Sequence, residues 1–198
     1  MKTKEQIHKD KLFFTSDTHW HHENIIKFCN RPWGDIRTHD SALIQNWNSV
    51  VPVSGVVFHL GDFAMTARID YIKELVEQLN GTIYLVMGNH DYRNRFDREA
   101  IVKIFGGRVF DAVELTIVDE ERTNNHTNFH CTHHPLMFWN RGSYHLHGHV
   151  HGGPETTASE RVPFHFMRHD VGVDNNGYTP ISYNVLMDTF LSKFLNNE

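Results

Sequence analysis

Three short apolar runs constrain this chain most: Leu12–Ser16 (LFFTS), Val56–Leu60 (VVFHL) and Ile83–Met87 (IYLVM). Each alternates poorly and runs into Asp, Gly or Asn. A strand that is apolar on both faces belongs in a sheet covered on both sides, with a polar loop at its carboxyl end. Helical patterns lie between the runs. His39–Val51 places Leu43, Ile44, Trp47, Val50 and Val51 on one face. Ala67–Leu79 does the same with Ile69, Ile72, Leu75, Val76 and Leu79, and Asn80-Gly81 makes a stop. Phe96–Phe105 is a further helix, ended by Gly106-Gly107. Strands alternating with helices predict an α/β fold with a largely parallel first sheet.

The second half reads differently. Val109–Val118 alternates around Phe110, Val113, Leu115 and Ile117, and polar residues 119–127 lead into an extended Asn128–Thr132. That pattern predicts a hairpin with a long loop. Ser143–Val150, Asp170–Val173 and Ser182–Met187 read as further strands, with Leu186–Leu195 open to reading as a terminal helix. The expected architecture is α/β, with two mixed sheets facing each other and helices outside both. At 198 residues the expectation is a single domain spanning 1–198.

Composition narrows the function. With 19 Lys and Arg, 24 Asp and Glu and 17 His, the formal charge is −5. It would swing to +12 with every His protonated. So much imidazole favours metal binding and pH sensitivity. A net acidic chain with scattered basic residues does not suit a nucleic-acid coat, and no stable nucleic-acid complex is expected. No apolar run approaches a membrane span. No secretory h-region precedes a small-residue cleavage site, and with two cysteines, Cys29 and Cys131, the expected location is cytoplasmic.

Chemistry-bearing side chains recur at the carboxyl ends of the strand candidates, where ligands collect in open α/β sheets. Asp17-Thr18-His19, Gly61-Asp62, Gly88-Asn89-His90-Asp91, Thr132-His133-His134-Pro135 and Gly148-His149-Val150-His151 occur in that order. Singly, each is a weak signal. The alternating His145, His147, His149 and His151 would share one face of a strand, and the bland reading of that face is solvated. Jointly, the five segments could deliver Asp, His and Asn side chains to one rim. Gly beside Asp62, Asn89 and His149 would allow the tight turns this needs.

This order and context resemble the calcineurin-like metallophosphoesterase superfamily, over roughly residues 12–151. The text DTHWHHENIIKFCNRPW is similar to a small bacterial and phage-type branch. The resemblance implies a four-layer αββα sandwich with a two-metal site between the loop ends of the sheets. It places Asp17, His19 and His151 on one metal and Asn89, His133 and His149 on the other. Asp62 bridges them. His133 is taken rather than His134 because the family's ligand stands two residues before the proline, here Pro135. His90 faces substrate without binding metal.

The ligand types suit borderline and hard divalent ions, with manganese expected first and iron, zinc, cobalt or nickel admitted. A hydroxide shared by two ions would be the nucleophile, and two carboxylates leave the site net positive, fit for an anionic phosphate ester. His90 would stabilise the developing charge or protonate the leaving oxygen, so His90 and Asp62 are the catalytic candidates. The expected substrate is a small phosphate ester or nucleotide, diester favoured. The alternatives are a phosphomonoesterase or protein phosphatase on the same site, or a non-catalytic metal or nucleotide binder.

Many family members carry an acid three residues after the bridging Asp, where this chain has Met65, so either Asp91 or another carboxylate orients His90, or His90 is less strongly polarised. His22, Arg31 and His134 are candidate substrate contacts. Asp174 reads as part of a structural turn, His59 as a packed group, and Phe28 and Phe138 as core. Metal affinity and activity should fall as pH drops through the histidine range.

Overall fold

A computed structural model of the chain describes residues 7–93, 97–121, 124–152 and 167–195. The apolar runs form three parallel strands, β1 (Leu12–Thr15), β2 (Val56–His59) and β3 (Thr82–Val86). Helices α1 (Glu23–Phe28) and α2 (Ile36–Val50) connect β1 to β2, and α3 (Ile69–Gln78) connects β2 to β3. After β3 come α4 (Asn89–Arg93), α5 (Arg98–Ile104) and a short strand β4 (Val109–Phe110). Phe96, where the third helix was expected to start, lies outside the described residues. Asp35 caps α2 by accepting from the Thr38 amide, and Asp97 caps α5 from two amides.

The second sheet holds β5 (Val113–Val118), β6 (His126–Cys131), β7 (Tyr144–His147) and β8 (Arg168–Asp170). Its order is β5-β6-β7-β8, with β5 and β6 antiparallel and β6, β7 and β8 parallel. The first sheet has the order β4-β3-β2-β1-β9, where β9 (Ile181–Ser182) runs antiparallel to β1. Helix α6 (Tyr183–Leu195) follows β9 directly.

Strand alternation assigns the core. Leu12, Phe14, Phe58, Leu60, Tyr84 and Val86 face Val113, Leu115, Ile117, Phe129 and Leu146 across the two sheets. The opposite residues, Phe13, Val57, Ile83 and Leu85, pack on Leu43, Trp47, Ile72, Leu75 and Ile101 of α2, α3 and α5. Burial on both faces is therefore the reason these strands are continuously apolar. Leu186, Met187 and Phe190 of α6 join the inter-sheet core. Loop 134–143 lies over β7, where the Trp139 ring stands 5.2 Å from His145.

Three expectations are corrected. The alternating run Val109–Val118 is two strands: β4 pairs in the first sheet, and after Asp111-Ala112 the chain enters the second sheet as β5. The run Ser182–Met187 contributes only Ser182 to a strand; from Tyr183 the 3.6-residue spacing of Leu186, Met187 and Phe190 prevails. Phe28 and Phe138 are each 73 % exposed rather than core.

Candidate metal centre

The parallel strands of both sheets end at one rim, and backbone bonds tie the loops there to one another, Val173 to Ser16 across the two sheets and the others within each sheet. Val173 N–H donates to Ser16 O, Gly148 N–H to His133 O, and Asp17 N–H to Gly61 O, each at 3.0 Å. Asp17 and His19 follow β1, Asp62 follows β2, and Asn89 and His90 follow β3. His133 follows β6, while His149 and His151 follow β7.

The local backbone is unusual. Asp17, His19, Asp62, His149 and His151 all have φ between +48° and +75°. Non-glycine residues rarely enter this left-handed region, and such strain gathers at functional sites. Gly61 has φ +99°, as expected for a turn glycine. Gly148 serves by size: a Cβ there would lie 2.2 Å from Asp17 Oδ2.

These loops bring polar atoms together. Asp17, His19 and His151 offer ligand atoms within 4.8 Å of one another, and so do Asp17, Asp62 and His133. His19 Nε2 and His151 Nε2 are 3.3 Å apart. Asp62 Oδ2 lies 3.5 Å from both His19 Nε2 and His133 Nε2, so one carboxylate oxygen stands between the halves of the cluster. Asn89 Oδ1 is 3.0 Å from His133 Nε2. His149 packs beside the His133 ring at 5.1 Å, and its amide donates to Asp17 Oδ2 at 2.9 Å.

Groups behind the cluster fix its orientation. His133 Nδ1 meets Leu60 O at 2.8 Å and donates there, which turns Nε2 inward. His151 Nδ1 donates to Asp174 Oδ2 at 2.8 Å, a carboxylate–histidine pairing usual behind metal ligands. Among the described residues Asp17 Oδ1 is buried with no hydrogen-bond partner. A buried bare carboxylate oxygen is costly unless a cation balances it, so these donors suit a divalent metal.

The electrostatics agree. Burial disfavours the Asp62 carboxylate, yet the hydrogen bond and charge of His133 and the charge of His19 hold it well below the usual carboxylate range. Burial likewise opposes charge on His133, but Asp62 and Asp17 raise it to about 9. His151 is raised to about 10, since Asp174 and Cys29 outweigh desolvation. His149 is lowered to about 4 by burial and by its neighbours His133 and His134.

Other expected residues fall into place or move. His90 sits over the cluster, with Nε2 4.0 Å from Asp62 Oδ2 and its ring 5.1 Å from His19. His22 follows at 6.1 Å from His90. His134 is exposed, 4.3 Å from the His149 ring. Arg31 is not at the mouth. It is buried, bonded to both Asp174 oxygens at 2.8 Å, to Asp17 O and Thr18 O, and to His39 Nε2. Asp91 does not orient His90. Its carboxylate accepts the amides of Asp62, Phe63 and Gly88, pinning the loops after β2 and β3 together. Burial raises it to about 7. Asp174, read from sequence as a turn, is the contributor that was missed. Its partner Arg31 lies 143 residues away, and nothing local marks the pairing. His59 is a packed group as expected, with Nε2 on the Thr18 hydroxyl at 2.9 Å.

No family model matches the chain. It is 44 % identical over 82 residues to Uncharacterized protein MJ1445 of Methanocaldococcus jannaschii, covering 41 % of this chain and 47 % of that protein. It is 32 % identical over 90 residues to Gene 66 protein of Mycobacterium phage L5, covering 44 % of this chain and 43 % of that one. The matches thus span under half of each curated relative. Among solved structures, a protein of unknown function from Aquifex aeolicus, AQ665, aligns at TM-score 0.64 with 24 % identity, over 89 % of this chain and 97 % of that one. The fold is therefore shared. Pseudomonas putida nuclease MPE aligns at TM-score 0.40 and 16 % identity, over 72 % of this chain and 62 % of that one, too distant to bear on function.

Proposed function

We propose that the chain is a dinuclear metallophosphoesterase of the calcineurin-like kind. One observation carries this reading: the Asp62 carboxylate oxygen stands 3.5 Å from histidines on both sides, His19 and His133. That is how a shared bridging ligand is held. Asp17, His19 and His151 would hold one ion, Asn89, His133 and His149 the other, and Asp62 would serve both. Two such ions supply Lewis acidity at phosphoryl oxygens and a water nucleophile active at neutral pH. His90, 28 % exposed at its side chain and within 4.0 Å of Asp62, reaches substrate and donates a proton to the leaving oxygen. Arg31 and Asp174 hold the loops after β1 and β8 in register and aim His151.

The test is a panel of metals and substrates. Metal-stripped protein is reloaded with Mn, Fe, Zn, Co or Ni and assayed on p-nitrophenyl phosphate and bis(p-nitrophenyl) phosphate. Metal-dependent hydrolysis is expected, faster on the diester. Asp62→Ala should lose both metal and activity, and His90→Ala should lose about a hundredfold in rate while keeping metal. Full activity of Asp62→Ala with metals excluded would contradict the reading. A second reading has a specific support, since Met65 stands where an acid would partner His90 and Asp91 is engaged by backbone amides. Tight metal binding without turnover of any ester would select a non-catalytic binder.

A further inference from the structure

A phosphate ester carries one or two organic arms on phosphorus, and the rim of this site offers a seat on each side of Asp62. On the His90 side, rings form a line: His22 stands 6.1 Å from His90 and 6.3 Å from Phe28. On the His133 side, an open groove of about 450 Å³ is lined by Asn89, His133, Leu136, Asp111 and Tyr92. Asn89 and Tyr92 are three residues apart on α4 and share a face. Tyr92 is half exposed yet fixed. Its hydroxyl donates to Asp111, which also accepts from Arg98 at 3.3 Å, and the Arg98 guanidinium lies 6.0 Å from the ring centroid. A ring held in place loses little conformational entropy when a ligand stacks on it.

We propose that the substrate is a phosphodiester whose retained arm carries a planar aromatic group, aryl or nucleobase, seated against Tyr92 in this groove. The leaving arm departs on the opposite side, past His90 toward His22 and Phe28. This rests on the phosphoesterase reading above and makes it more specific. A monoester would leave the groove empty. Asp111 among the lining residues sets a negative charge beside the groove. A short diester with a compact aromatic arm fits both seats.

The test keeps p-nitrophenoxide as leaving group and varies the retained arm. Methyl p-nitrophenyl phosphate, bis(p-nitrophenyl) phosphate and thymidine 5′-(p-nitrophenyl) phosphate are compared on metal-loaded wild type, Tyr92→Ala and Tyr92→Phe. The aromatic-armed diesters should show the higher kcat/KM, and Tyr92→Ala should narrow that preference about tenfold, mainly through KM. Tyr92→Phe should keep most of it. The arm with the larger Tyr92-dependent preference tells aryl from nucleobase. A preference unchanged in Tyr92→Ala, or a methyl diester used as well as the aromatic ones, overturns the seat. Hydrolysis of p-nitrophenyl phosphate with no diester turned over also overturns it, and leaves the phosphoesterase reading standing. No metal-dependent hydrolysis of any ester overturns both.

Discussion

His151 is held from behind before anything binds in front of it. Its Nδ1–H donates to Asp174 at 2.8 Å, and Asp174 is itself clamped by Arg31. The carboxylate that orients the ring also raises its pKa to about 10, as Asp62 and Asp17 raise His133 to about 9. A raised pKa means that the metal-free site holds these protons at neutral pH, and a metal must displace them. Affinity should therefore climb with pH up to about 9–10, well above the ordinary histidine range that composition suggested. Titrating Mn²⁺ into metal-stripped protein at pH 7.5, in two buffers of different ionisation enthalpy, should show proton release. Asp174→Asn should release fewer protons, because His151 then loses the partner that keeps it charged. Heats identical in both buffers would contradict this.

Among the elements, β7 differs most from its reading in sequence. His145 and His147 lie in the strand and are fully buried rather than solvated, while His149 and His151 lie beyond its end. His145 fits because both ring nitrogens are used: Nδ1 donates to His130 O and Nε2 accepts from Leu136 N, each at 3.0 Å. Burial lowers His145, His147 and His59 to about 3. For a histidine with depressed pKa, the contribution to stability is complete above the unfolded value of about 6.5 and is withdrawn as pH falls from there toward 3. Each should cost about 1.4 kcal/mol one pH unit below 6.5. His133 and His151 act in the opposite direction, so the clean readout is a difference. Between pH 7.5 and 5.5, the denaturant midpoint of His145→Gln should fall less than that of wild type. Equal slopes would place the His145 ring outside the buried network. The strands β1, β2 and β3 were legible because both of their faces are covered. The split of Val109–Val118 was not, because alternation says which face is buried and not which sheet a residue joins.

At the scale of the molecule, two sheets meet with the carboxyl ends of their parallel strands on one rim, and this makes the site. The order of Asp17, His19, Asp62, Asn89 and His133 was readable because each follows a strand that the sequence marks, whereas His149 and His151 were read on the face of the last strand and the structure places them beyond its end. Arg31, Asp91 and Asp174 were not, since their roles exist only once distant loops touch. Arg31 joins residues after β1 to a turn after β8, and Asp91 binds the β2 loop to the β3 loop. Neither pairing leaves a local pattern. The central claim is that Asp62 is shared between two ions. Anomalous diffraction from Mn²⁺-soaked crystals tests it most directly. Two peaks about 3.5–4 Å apart, one toward His19 and one toward His133 with Asp62 between them, are the expected result. A single peak, or two peaks of which only one contacts Asp62, would contradict it.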